Sequence, residues 1–315
     1  MIYLLVIVLL FTAELFYFRF ADRYNTKEQN SYTRITLWGG GIIYWVAALL
    51  YLSINPSEPA GWFFAGITIM AGVSLWDDVK GLGQKIRLLF HLLAMTCAFY
   101  MANVFGIYPW WAIVIGYIVF IGVVNAYNFM DGINGITGLY TLAILLPMVY
   151  VNNYIRTFIE NDFLIFPLLA SVVFLFFNFR KRAKCFAGDV GSVSIAFWIV
   201  TLLLLLIIET QTLIWIGFLL VYGVDSVCTI LHRIYLKQNI MEAHRLHFYQ
   251  ILANECKTDH REVSLIYFVA QLICSALIIT LYPTIGWWIF LILAVTLVII
   301  YGRKFQLMKT TIIEK

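Results

Sequence analysis

Apolar residues fall in long runs separated by short polar stretches, and this alternation continues from one end of the chain to the other. A helix that crosses a bilayer needs about 20 mostly apolar residues. Runs of that kind predict spans near 2–20, 37–54, 60–76, 88–105, 108–124, 133–151, 163–179, 191–208, 211–231, 263–282 and 285–302. The expected fold is all-α: a polytopic integral membrane protein with about 11 transmembrane helices, in which residues 1–315 form a single domain. No internal repeat and no low-complexity linker divides it. The first run, Met1 to Phe20, lacks a basic start and a small-residue cleavage site. It is read as a retained span, not a removed signal peptide.

The polar stretches carry the orientation. Twenty of the 21 Lys and Arg residues lie in 19–36, 77–87, 180–190, 232–262 and the tail from 303, and the other is Arg156. Together with 125–132 these stretches alternate along the chain as the loops of one side. The positive-inside rule puts them in the cytoplasm, with the N-terminus outside and the C-terminus inside. Composition agrees: 63% hydrophobic, 12% charged, mean hydropathy +0.89, whereas a soluble domain is about half apolar and a quarter charged. The 25 Phe, 19 Tyr and 10 Trp suit membrane interfaces. A net charge of +4 is too small to point to nucleic acid. Five cysteines without a C-x-x-C pair give neither a zinc site nor a disulfide framework. The span interiors look almost bare, with Glu14 and His91 as exceptions. A transporter would carry ionisable groups near the midplane. Glu14, near the inner end of the first span, is expected to snorkel or to pair with Arg19.

Four cytoplasmic stretches carry candidate chemistry. Trp76-Asp77-Asp78-Val79-Lys80-Gly81 closes the third span. Helix C-termini favour cations, so two adjacent carboxylates there point to a bound cation or a shared proton more than to a solvated end. Asn125-Ala-Tyr-Asn128-Phe-Met-Asp131-Gly132-Ile-Asn134-Gly135 has amide and acid groups but no Lys or Arg. Such a loop suits ribose, sugar hydroxyls or metal-bound water, although a plain turn would use similar residues. Asn178-Phe-Arg180-Lys181-Arg182-Ala-Lys184-Cys-Phe186-Ala-Gly188-Asp189-Val-Gly191-Ser192 follows the seventh span. Its first cations serve topology equally well. Gly-Asp-x-Gly-Ser opening a helix instead sets a carboxylate and free N–H groups at a positive helix end, which suits a metal–phosphate complex. Glu242-Ala-His244-Arg245-Leu-His247-Phe-Tyr-Gln250 lies in the longest loop. His244 and His247 stand three apart and with Arg245 could bind a diphosphate, and no third ligand completes a zinc site. His232 and His260 read as bystanders at the interface.

As a set these residues resemble one family. Asp77-Asp78, Asn125-x-x-Asn128-x-x-Asp131-Gly132, Gly188-Asp189-x-Gly191-Ser192 and His244-Arg245-x-His247 occur in the order of the polyprenyl-phosphate N-acetylhexosamine-1-phosphate transferases. The resemblance implies transfer of a HexNAc-1-phosphate from a UDP-sugar to undecaprenyl phosphate, with release of UMP. It implies Mg²⁺, with Mn²⁺ as the alternative ion, and the bacterial inner membrane with the site facing the cytoplasm. UDP-HexNAc, the lipid phosphate and the bilayer are then the partners, nucleic acid is not, and a homodimer is left open. By position, Asp77 would be the candidate base with Asp78 beside it, and Asp189 and Asp78 would ligate the ion. Asp131, His244 and His247 would join the catalytic set. Asn125, Asn128, Asn134, Asn178 and Arg245 would bind substrate or order the site. Phe186 lies where the family stacks uracil, and Lys80, Lys85 and Lys184 are further phosphate contacts. The short His-Arg-x-His form looks like the O-antigen-initiating branch. Three departures stand out. The loop Ser31-Tyr-Thr-Arg-Ile-Thr-Leu-Trp38-Gly-Gly-Gly carries Tyr32 for a family His, Ile35 and Leu37 for prolines, and Trp38 for Arg. Asn134 replaces a second Asp, and His91 a Gln. An inactive relative that scaffolds glycan assembly and a small-solute transporter are the competing functions.

Overall fold

The computed structural model describes residues 1–23, 27–28, 36–239 and 245–313, with the backbone alone at 22–23, 27–28, 36, 78–79 and 309–313. Among them are eleven helices of twelve or more residues. They are α1 (Ile2–Arg23), α2 (Ile43–Ile54), α3 (Glu58–Lys80), α4 (Gln84–Met101), α5 (Trp110–Phe129) and α6 (Ile136–Tyr154). The rest are α7 (Asn161–Asn178), α8 (Gly188–Thr210), α9 (Leu220–Tyr235, entered through the 3₁₀ turn Leu213–Leu219), α10 (His260–Ile285) and α11 (Trp288–Ile313). Each falls on one predicted span. Nine helical segments among the described residues are long and apolar enough to cross a membrane. The apolar segment Gly40–Ile54 is shorter, and α4 opens on Gln84, Lys85 and Arg87. The chain is an all-α polytopic membrane protein. Its only strands among the described residues are the two-residue pair Lys27–Glu28 and Thr36–Leu37.

Burial sorts the helices into centre and rim. The apolar stretch of α8 is 83% buried, against 22% for those of α1 and α11. α8 therefore forms the axis, and it packs against α3 and α5. Small residues let it do so: Gly188, Gly191, Ser192, Ser194 and Ala196 line its first turns. α6 packs against α7 and α10, and α3 against α4. Phe63, Phe163, Phe197 and Trp198 interlock where α3, α7 and α8 meet. Rim helices expose large apolar side chains such as Trp110, Ile118 and Ile299, as bilayer-facing surfaces require.

Three expectations are corrected. Glu14 neither snorkels nor pairs with Arg19: it turns inward, 1% exposed, with Oε1 3.6 Å from Cys185 Sγ. The span interiors are not almost bare, because Asp225 of α9 and Gln271 of α10 are also buried there. The last helix does not stop near 302 but runs to Ile313, which makes Lys304 a buried helical residue rather than part of a tail.

Candidate active site

Three loops that are distant in sequence are tied together by backbone. Leu37 N–H donates to Lys184 O (3.2 Å), Phe186 N–H to Leu37 O (2.9 Å), Gly40 N–H to Phe186 O (2.9 Å) and Gly41 N–H to Ala187 O (3.1 Å). The approach is so close that Gly41 and Gly191 touch Cα to Cα, and a Cβ on either would overlap the other's backbone. Asn178 joins the third loop: its Oδ1 accepts from Gly135 N–H (2.6 Å) and its Nδ2 donates to Cys185 O (2.8 Å). Asn134 Nδ2 donates to Arg180 O (2.9 Å), and its carbonyl accepts from Ser264 (2.8 Å). Asn134 and Asn178 are buried and thus order the loops.

This frame brings acids from three stretches to one end of the helices. Asp77, in the last turn of α3, receives Leu82 N–H (2.5 Å) across the left-handed Gly81 and pairs with Arg87 of α4 at 2.8 Å. The same guanidinium stands 4.0 Å from Asp189. Asp189 opens α8 just after Gly188, whose φ of +68° suits glycine. Asn128 faces the Asp189 carboxylate and accepts from Ser192 Oγ at 2.7 Å. Asp131, accepting from Thr137 Oγ1, lies close enough to Asp189 to feel its charge. Burial pushes the Asp131 carboxyl up to about 7, against the Thr137 hydrogen bond, and the Asp189 charge adds to the rise. Asp78 shares the helix end with Asp77, and its side chain lies outside the described residues.

Beside the acids opens a cavity of about 500 Å³ between α4, α5 and α9. Lys85, Arg87, His91, Asn125, Arg233 and His247 supply its polar wall, and Leu88, Phe129 and Ile230 its apolar one. His247 is buried, and its backbone N–H donates to Gln250 Oε1 (3.2 Å). Phe186 is half-buried, and its ring meets that of Trp38 edge-on at 6.2 Å. Trp38 is 37% exposed and its carbonyl accepts from Tyr17 OH (2.6 Å). Lys80, Lys184 and Arg245 are exposed, with Lys184 over the Phe177 ring. His244 and Tyr32 lie outside the described residues.

Two polar residues central to this geometry are absent from the sequence-derived candidates. Arg87 is one of three cations in its loop; only its place between Asp77 and Asp189 distinguishes it. Asp225 sits within an apolar run, and its charge there was the signal that could have found it.

The glycosyl transferase family 4 model matches residues 61–207. The phospho-N-acetylmuramoyl-pentapeptide-transferase of Dictyoglomus thermophilum is 29% identical over 184 residues, covering 52% of this chain and 57% of that protein. The enzyme of the same name from Dictyoglomus turgidum is 26% identical over 182 residues, with the same coverage. The chain thus spans a little over half the length of the curated relatives it matches. The matched stretch holds Asp77, Arg87, Asn125, Asn128, Asp131, Phe186 and Asp189. Residues 61–207, a little under half of the chain, are thus similar to glycosyl transferase family 4.

Proposed function

We propose that the protein transfers N-acetylhexosamine-1-phosphate from a UDP-sugar to undecaprenyl phosphate at the cytoplasmic face of a bacterial inner membrane. UMP is released, and the lipid-linked sugar begins a cell-surface polysaccharide. One observation carries this: Arg87 joins Asp77 to Asp189, Asp131 lies within reach of the Asp189 charge, and Arg87 also lines a cavity with both cationic and apolar side chains. Acids suit a metal, cations a diphosphate, and an apolar wall a lipid acceptor. Phosphoryl transfer asks mainly for positioning and charge neutralisation.

In the proposed step an oxygen of the lipid phosphate bonds to the sugar-bearing β-phosphorus. The bond from that phosphorus to the bridging oxygen breaks, and the electron pair leaves with UMP. Asp77 accepts a proton from the lipid phosphate where it carries one. A two-step course through an aspartyl-phosphate on Asp77 uses the same groups. Arg87, Lys85 and Arg233 face the anionic oxygens, and Asn125 and Asn128 the sugar or ribose. No three of the described His, Cys, Asp and Glu residues group closely enough to hold an ion by themselves. The acid oxygens nonetheless fit a hard cation such as Mg²⁺ or Mn²⁺, since Asp131 and Asp189 repel and a divalent ion relieves that repulsion. Asp189 and Asp78 would hold it, and when bound it neutralises diphosphate charge. The two relatives are pentapeptide transferases by name. The short His244-Arg245-x-His247 motif is the reason for preferring an unadorned HexNAc donor.

Asp131 gives this site a pH signature. A carboxyl held near 7 in the folded protein, against about 4 when unfolded, favours the folded state below about 4. That contribution is lost as pH rises through about 7. Protons then compete with the cation, so the Mg²⁺ concentration for half-maximal transfer is expected to rise roughly threefold to tenfold from about pH 8 to about pH 6. Mg²⁺ titrations of the rate at each pH check this, and a constant requirement contradicts it.

The substituted first loop supports activity rather than loss of it, because Leu37 and Trp38 are bonded into the platform that carries Phe186. With Trp38 beside Phe186, the uracil ring has two aromatic neighbours. Trp38→Ala is expected to raise the KM for the UDP-sugar about tenfold with kcat little changed, since base stacking is worth ~1–3 kcal/mol. Steady-state kinetics with a fixed lipid acceptor reads it, and an unmoved KM leaves the indole a packing role only.

A further inference from the structure

Asp225 lies in the apolar run of α9, 3% exposed, yet five donors reach its carboxylate. They are His247 Nδ1 (3.3 Å), Phe248 N–H (2.9 Å), Tyr249 N–H (3.4 Å), Tyr267 OH (2.6 Å) and Thr229 Oγ1 (3.2 Å). The two backbone donors fix the turn that carries His247. A second anchor comes from α11, where Lys304 Nζ donates to Leu246 O and to Tyr301 OH. Tyr301 OH in turn shares a hydrogen bond with Thr229 Oγ1 at 2.9 Å. Three helices thus converge on residues 246–249, and His247 borders the cavity that holds Lys85, Arg87 and Arg233. A carboxylate buried in an apolar helix is costly unless it is fully bonded. A turn could be capped far more cheaply by a backbone or hydroxyl group. What a carboxylate adds is charge beside the imidazole and control of its tautomer.

We propose that Asp225 is a positioning residue for His247: it takes the Nδ1–H, fixes that tautomer, and makes Nε2 the nitrogen that serves a phosphoryl oxygen of the substrate in the cavity. The protonated ring then donates from both nitrogens, to Asp225 and to the anion. This role rests on the transfer reaction proposed above. Among the described residues, the titratable and charged neighbours of the pair are these. Cys228, His232 and Arg233 lie on α9, Tyr267 on α10, and Tyr301 and Lys304 on α11. Tyr249 and Arg245 belong to the turn itself, and α4 contributes Lys85, Arg87 and His91 across the cavity. Among the described residues Asp225 is the carboxylate in contact with His247, at 3.3 Å.

The test uses full-length protein labelled with ¹⁵N-histidine in nanodiscs, with His247→Gln assigning the resonance among the five histidines. The wild type is expected to show His247 as the Nδ1–H tautomer when neutral, and the opposite tautomer overturns the proposal. Asp225→Asn is expected to mix the two neutral tautomers of His247 and to move the acidic limb of the pH–rate profile. In a His247→Gln background the Asp225→Asn change is expected to cost no further activity. Additive losses with an unmoved pH profile mean that Asp225 only supports the turn, and overturn the proposal. The tautomer is read on the unaltered chain, so it decides the matter even where Asp225→Asn does not fold. It also decides it where no UMP is released, an outcome that would defeat the transfer reaction alone.

Discussion

Asp189→Asn is expected to lower sugar-phosphate transfer about 100- to 1,000-fold, and added Mg²⁺ is expected not to restore it. The magnitude is that of removing a group whose charge acts on the reacting phosphates in a water-poor site. Asn preserves the volume and one oxygen at the start of α8, so the fold should survive. It leaves Arg87 with Asp77 alone and Asp131 without its charged neighbour. The Asp131 carboxyl should then titrate lower than in the parent. Loss of that charge removes a repulsion and a cation anchor together, so weaker ion binding and lower turnover should appear in one variant. Transfer assays across a wide Mg²⁺ range measure it. Full recovery at high Mg²⁺ would show that Asp189 only raises ion affinity.

Gly41→Val should come close to that loss by a different route. Gly41 and Gly191 meet backbone to backbone, and three added heavy atoms have nowhere to go. Overpacking a close contact costs about 1–3 kcal/mol. The first loop must therefore move away from Ala187 and Gly191, which breaks the Gly40–Phe186 and Gly41–Ala187 hydrogen bonds. Those bonds hold the platform of Phe186 and Asp189. Detergent thermostability should fall and transfer should drop about 100-fold, while Gly72→Val, at a glycine with open space around it, leaves both unchanged. Equal behaviour of the two variants would mean that the loop contact does not organise the site.

The placement of the helices was legible because apolar runs and polar breaks are strong local signals. Each of the eleven helices falls on a predicted run, although the last one extends past its predicted end and buries Lys304. The acid motifs were legible as types of residue at helix ends. What could not be read was which of them share a partner. Arg87 looks like any loop cation until α3 and α4 fold back and set it between Asp77 and Asp189. Glu14 looked like a snorkelling residue because its neighbour Cys185 lies 171 positions away. Asn134 and Asn178 carry the amides expected of a sugar site, yet their hydrogen bonds go to the backbone of neighbouring loops. Composition cannot distinguish an amide that binds substrate from one that holds a loop. Asp225 is hidden in the sequence because the run around it remains apolar enough to span, and its meaning depends on His247 in a loop 22 residues on.

The most direct measurement supplies membranes containing the protein with undecaprenyl phosphate, Mg²⁺ and a panel of labelled UDP-N-acetylhexosamines. At least one donor should yield UMP together with a lipid-diphosphate sugar, in equal amounts and only with both substrates present. Should every donor in the panel leave UMP at background, the convergence of Asp77, Asp131, Asp189 and Arg87 would have to serve some other chemistry.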